Sequence, residues 1–221
     1  VNRDHTLLSL QGWNPSSGTR RTILNETSSD WINEDRYAPP LFIGGGQQFL
    51  WLSERDGYMH LYLYSRQGAL LQKLTSGDWM IDSSAWNLLT PGKPVHIDPE
   101  GNHAYFISTG ASPLERRIIA LDLATGAMEQ LSSQPGFHAF CLSGDGRYLL
   151  DQFSDIATPP VTLIARTDQS STQLFAQQAG PALSLPAMTR EFILLKAYDG
   201  TDLYAQLVKP EHFDPARKYP V

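Results

Sequence analysis

The sequence predicts an all-β fold made of four-stranded antiparallel meanders, the blades of a β-propeller with an incomplete ring. Three observations carry this. Apolar and aromatic runs alternate with polar residues at the period of two that suits strands. A strand–turn–strand–turn–strand design returns along the chain, and a Gly-containing turn precedes each return. The composition agrees, with 41% hydrophobic and 10% aromatic residues, Gly 17 and Pro 15, the mix of a folded chain rich in strands and turns.

Taken in order, "LLSLQGWNPSSGTRRTIL" (7–24) matches the outer two strands of such a unit. Gly44-Gly45-Gly46 then reads as a turn and not a phosphate loop, because no Lys-Ser or Lys-Thr follows and "QQFLWL" continues as a strand. In "FLWLSERDGYMHLYLYSRQGALLQKLT", Phe49 to Glu54 alternates as a half-buried strand should. Asp56-Gly57 supplies a tight turn, Leu61 to Tyr64 resumes as a strand, and the chain returns through Gln67-Gly68. Residues 103–132 repeat the plan, with Thr125-Gly126 in the second turn and a Leu-Ser ending where the first copy ended in Leu-Thr. Residues 147–175 form a looser third copy that turns over Asp168 to Ser171.

The turns "DPEGN" (98–102) and "SGDGR" (143–147) precede these copies, and an apolar segment before each, such as "GFHAFCLS" (136–143), supplies the innermost strand. Leu74, Leu131 and Leu174 close successive copies at intervals of about 57 and about 43 residues, the range of propeller blades. A single blade cannot bury both faces, so blades must cover one another. An incomplete ring leaves a blade face open, to pair with another copy or to aggregate. The charge-poor "AQQAGPALSLPAM" (176–188) reads as a final inner strand or a linker. Beyond it, Phe192 to Tyr198 and Leu203 to Val208 flank Asp199-Gly200-Thr201 as a hairpin outside the repeat.

Composition also excludes functions. The net charge of −6 and pI near 5.4 argue against a phosphate-binding surface for nucleic acid, and no run of Lys or Arg exceeds two residues. Cys141 is the single cysteine, so neither an intrachain disulfide nor a cysteine-rich zinc site can form. The six histidines (His5, His60, His96, His103, His138 and His212) show no ligand spacing, so neither metal nor cofactor is expected. Neither a signal peptide nor a membrane span is evident. Both ends read as cut, which makes the chain a fragment.

Ser83-Ser84, Ser132-Ser133 and Ser170-Ser171, with Asp98, Asp145 and Asp199, fall at turns and blade starts, where such side chains bond the local backbone. Trp51, Trp79 and Trp86 are expected in blade packing, given the apolar area each can bury; a sugar-stacking face is the alternative.

The segments "WLSERDGYMHLYLYSRQG" and "LTSGDWMID" (74–82) resemble the propeller of bacterial dipeptidyl peptidase IV enzymes. "AYDGTDLYAQLVKPEHFDPARKYPV" is similar to the entry into the α/β-hydrolase domain of the prolyl oligopeptidase superfamily. The resemblance implies that 1–185 are C-terminal blades of the propeller and 186–221 a linker and first β-hairpin of a truncated hydrolase domain. It implies a serine dipeptidyl aminopeptidase that removes X-Pro and X-Ala dipeptides, with the propeller covering the active site, a peptide as substrate, the hydrolase domain of the same chain as partner, and a homodimer. A periplasmic or secreted location is the expectation for a bacterial parent.

No catalytic residue carries over, because the chain has no Gly-x-Ser-x-Gly, the turn that exposes a nucleophilic serine. Nor does it contain the Glu-Glu pair with which the family grips a free amino terminus. Glu34-Asp35, in "DWINEDRYAPPLF", does not match that pair's position. Arg36 does match a family arginine that reaches the substrate's backbone carbonyl, and is the candidate substrate-binding residue. A guanidinium suits that task because it offers several fixed donors; the alternative is a surface arginine paired with Glu34 or Asp35. Two other functions fit the blades: a stand-alone propeller that binds protein or peptide, and the propeller of another oligopeptidase or an acylaminoacyl peptidase.

Overall fold

A computed structural model describes residues 1–83, 93–177 and 188–219. It contains β1 (Leu7–Trp13) and β2 (Arg20–Thr27), paired as a hairpin. Three four-stranded antiparallel sheets follow, each a simple meander. The first is β3 (Leu41–Ile43), β4 (Gln48–Ser53), β5 (His60–Ser65) and β6 (Leu70–Lys73). The second is β7 (Val95–Ile97), β8 (His103–Ser108), β9 (Arg117–Asp122) and β10 (Met128–Gln130). The third is β11 (Phe137–Leu142), β12 (Tyr148–Ser154), β13 (Val161–Arg166) and β14 (Thr172–Gln177). A separate hairpin pairs β15 (Thr189–Lys196) with β16 (Asp202–Lys209).

Side-chain alternation explains how the sheets stack. On β4, Phe49 and Trp51 face the β1–β2 hairpin and pack with Leu24, Tyr62 and Tyr64. Leu50 and Leu52 face the other way and, with Leu61 of β5, join Val95, Ala104, Phe106 and Leu121 of the next sheet. The second sheet repeats this: Ala104 and Phe106 look back, while Tyr105, Ile107, Ile118 and Ala120 meet Phe140 and Leu149 of the third. The middle strands of the first and second sheets are thus covered on both faces, which corrects the half-buried strand expected for Phe49 to Glu54. All of Phe49 to Ser53 is buried, because the polar positions of the alternation hold Trp and Ser where the neighbouring sheet lies.

Asp56-Gly57 falls where a turn was expected: Ser53 pairs with His60, and the connection 54–59 between them is closed by a Gly57 N–H bond to the Glu54 carbonyl at 2.9 Å. The copy at 147–175, looser in sequence, is a regular meander with continuous pairing from β11 to β14.

The Leu-Thr and Leu-Ser endings acquire a structural role. Leu74 N–H bonds the Leu61 carbonyl at 2.8 Å, and Thr75 Oγ1 accepts the Leu61 N–H at 2.9 Å. In the next sheet Leu131 N–H bonds the Ile118 carbonyl at 2.9 Å, and Ser132 Oγ accepts the Ile118 N–H at 3.2 Å. A hydroxyl thus replaces the backbone acceptor where each outer strand leaves the ladder.

Backbone bonds also tie the sheets together. Ile81 N–H reaches the Met59 carbonyl at 2.9 Å and Asp82 N–H the Ile107 carbonyl at 2.8 Å, so residues 80–82 lie between the first and second sheets. Arg116 N–H to the Gly136 carbonyl (2.9 Å) and His138 N–H to the Arg116 carbonyl (3.1 Å) join the second to the third. His138 is buried, with Nδ1 2.8 Å from Asp151 Oδ1 and Nε2 2.8 Å from the Gln134 carbonyl, which also accepts a bond from Arg117.

Trp51 is buried and Trp79 packs between His60 and Phe106, as expected; Trp86, Ser84 and most of 176–188, including the division at 185, lie outside the described residues. The turn aspartates act as read. Asp98 Oδ1 accepts the Asn102 N–H at 2.7 Å, Asp145 Oδ1 the Arg147 N–H at 3.1 Å and Asp199 Oδ1 the Thr201 N–H at 2.9 Å.

Candidate functional site

The β2–β3 connection and the β4–β5 loop emerge at the same end of the β1–β2 hairpin and the first four-stranded sheet and enclose a pocket of ≈ 440 Å³. Glu26, Asp30, Trp31, Tyr37, Glu54 and Arg55 are among its lining residues. Its base rests on Glu26. Leu24 and Glu26 share the core-facing side of β2 by the period of two, which takes a carboxylate into the interior at 3% exposure.

Such a charge needs several donors, and it has them: Trp51 Nε1–H at 2.8 Å, Ser53 Oγ–H at 2.9 Å, and the Arg55 guanidinium. Arg55 in turn lies over the ring of Tyr62, 4.7 Å from its centroid. Three separate features of the chain, β2, β4 and the β4–β5 loop, are therefore locked around one carboxylate.

Above this base, Glu34–Arg36 forms one turn of 3-10 helix, with the Tyr37 N–H bonded to the Glu34 carbonyl at 3.0 Å. Tyr37 packs on Trp51, with centroids 5.9 Å apart, and its hydroxyl accepts the Glu54 N–H at 3.4 Å. The adjacent Arg36 is half-buried and sits beside the pocket, close enough to Glu54 for its charge to act on that carboxyl. Burial pushes the Glu54 pKa up, and the Arg36 charge offsets part of that rise.

Arg36 enters no ion pair among the described residues, so it is not held by Glu34 or Asp35. Glu34 instead lies 3.6 Å from His5 Nδ1, and His5 stacks on Trp31 at 3.9 Å. Trp31 remains 60% exposed at the edge of the pocket.

Besides the Glu26-bound Arg55, the site therefore offers the guanidinium of Arg36, the half-buried carboxylate of Glu54 and an exposed indole face around an open pocket. Its chemistry is to bind and orient: donors for a carbonyl or carboxylate, an acceptor for an amine, and a flat apolar surface. Among the described residues no group of His, Cys, Asp and Glu could hold a metal. Sequence reasoning reached Arg36 but missed Glu26 and Glu54. The first was legible in the Leu24–Glu26 alternation; the second depends on the fold bringing 54 beside 36.

Comparison with known proteins agrees with this architecture. The model of the dipeptidyl peptidase IV N-terminal region matches residues 1–160. Dipeptidyl-aminopeptidase B of Aspergillus niger is 25% identical over the whole chain, which spans 25% of that protein, and dipeptidyl peptidase 8 of Mus musculus is 25% identical over 93% of the chain, 26% of its own length. Among solved structures, Porphyromonas gingivalis dipeptidyl peptidase 4 superposes with a TM-score of 0.82 at 26% identity, covering 100% of this chain and 30% of its own. The chain thus spans about a quarter of the length of these relatives. With the family model covering most of the stacked sheets, the chain belongs to the dipeptidyl peptidase IV N-terminal region family.

Proposed function

We propose that this chain is the propeller portion of a serine dipeptidyl aminopeptidase, of bacterial type, and that it covers and gates the active site of a hydrolase domain in the same polypeptide. The observation that carries the reading is the family match over residues 1–160 together with the unpaired Arg36 beside an open pocket. In this reading the hydrolase domain supplies the serine, its base and the oxyanion donors, and the serine forms an acyl-enzyme that water resolves. The propeller's own residues do no bond chemistry. Arg36 donates to a backbone carbonyl of the bound peptide, and Trp31 and Tyr37 give the pocket its apolar wall.

The half-exposed apolar side chains of β15 and β16, including Phe192, Leu194 and Tyr204, give the hydrolase domain a surface to pack on. Leu174 and Phe175 of β14, more than 60% exposed, offer a second copy a contact.

The test is kinetic. In the full-length enzyme, Arg36→Ala should raise KM for X-Pro chromogenic dipeptides about tenfold, the loss of one charge-assisted hydrogen bond, and leave the melting temperature unchanged. A variant with the wild-type KM and kcat would remove Arg36 from the site.

A further inference from the structure

A second groove lies at the opposite end of the β1–β2 hairpin and the first four-stranded sheet, where the β1–β2, β3–β4 and β5–β6 turns meet. It has a volume of ≈ 580 Å³, and Trp13, Arg20, Arg21, Phe42 and Arg66 are among its lining residues. All of its charged lining residues are arginines, on a chain whose net charge is −6. Among the described residues none of the three enters an ion pair, whereas Arg55, Arg116, Arg117 and Arg166 each hold a carboxylate. Trp13 and Phe42 turn apolar surface outward beside them, at 64% and 56% exposure.

The walls of the groove also approach closely. Gly68, at φ +95°, lies so close to β2 that a Cβ there would stand 1.8 Å from the Ile23 carbonyl oxygen, so only glycine permits this approach. Arg21 Nη2 donates to the Arg66 carbonyl at 3.3 Å and ties the two walls together.

We propose that this groove docks an acidic segment of another polypeptide, one that carries several carboxylates and an aromatic or apolar side chain. Three guanidinium forks match spaced carboxylates, and the Trp13 and Phe42 faces match the apolar side chain. A bare phosphate or sulfate would satisfy the arginines but leave both aromatic faces unused. An extended nucleic acid would need a longer basic track than this acidic chain presents. The groove lies away from Arg36, so the proposal stands apart from the peptidase reading.

The experiment is fluorescence anisotropy on the full-length protein with a labelled Glu-rich peptide containing one Tyr. The controls are the same peptide with every Glu replaced by Gln, and inorganic phosphate as competitor. The proposal predicts saturable, salt-sensitive binding that the Gln peptide lacks and that phosphate fails to displace at equal concentration. Arg20→Glu and Arg66→Glu should each weaken it at least about tenfold, and Trp13→Ala several-fold. These variants leave the Arg21 bond to the Arg66 backbone in place, and an unshifted thermal melt checks that. Absence of binding, equal binding of the Gln peptide, unchanged affinity in the folded variants, or displacement by equimolar phosphate would each overturn it.

Discussion

Glu26 shows most clearly how single residues hold the site. Its carboxylate accepts from Trp51, Ser53 and Arg55 at once, so Glu26→Ala would strand two buried donors and a partly buried cation. Removing one partner from such a network costs about 3 kcal/mol, and urea unfolding should show that loss as a lower midpoint. Glu26→Gln, which keeps the shape and part of the hydrogen bonding, should cost less.

His60 makes a different prediction at the same scale. Burial lowers its pKa, with the Gly77 carbonyl opposing the shift, so the folded protein favours the neutral ring. His96 is lowered by burial as well. The unfolded chain then binds more protons, and stability rises with pH. The contribution is complete above the ordinary histidine value of 6.5 and is lost as pH falls below it. His60→Gln should flatten the fall in melting temperature below that pH. Glu54 acts with the opposite sign, since its raised pKa favours protonation in the folded state and adds stability as pH falls through its folded pKa toward 4.5.

Among the elements, the outer strands carry the most instructive detail. Thr75 and Ser132 each give a hydroxyl to an N–H of the neighbouring strand, at Leu61 and Ile118. Thr75→Val and Ser132→Ala should each cost about 1–2 kcal/mol, the price of a buried donor left unpaired. Faster amide hydrogen exchange at Leu61 and Ile118, with protection elsewhere in β5 and β9 retained, is the measurement that isolates this effect.

The repeated Leu-Thr and Leu-Ser endings were legible in the sequence as a pattern, but the pattern did not reveal what the hydroxyls do. Strand existence was legible throughout because the period of two is strong in segments such as Leu61 to Tyr64 and 136–143. The β4–β5 connection was legible too, because Asp-Gly marks a turn whether the loop holds two residues or six. Arg36 was reached through resemblance to a family motif. Its setting was not legible, because the pocket forms from an irregular connection and a loop that only the fold brings together.

For the whole molecule, stacking is what converts separate meanders into a structure. Phe106 is fully buried in the cluster shared by the first two sheets, and Phe140 in the cluster shared by the second and third. Phe106→Ala should therefore cost about 3–5 kcal/mol and broaden or split the thermal transition, because it loosens two sheets at once.

The stacking also sets the two ends of the sheets apart, with the Arg36 pocket at one and the arginine groove at the other. The central claim is that the first of these ends faces a peptidase active site. Sequencing the gene downstream of codon 221 tests it most directly. The expected result is a Gly-x-Ser-x-Gly followed in order by an Asp and a His, the chain order of an α/β-hydrolase triad. An open reading frame that closes without that serine motif would contradict it and leave a propeller whose pockets serve binding alone.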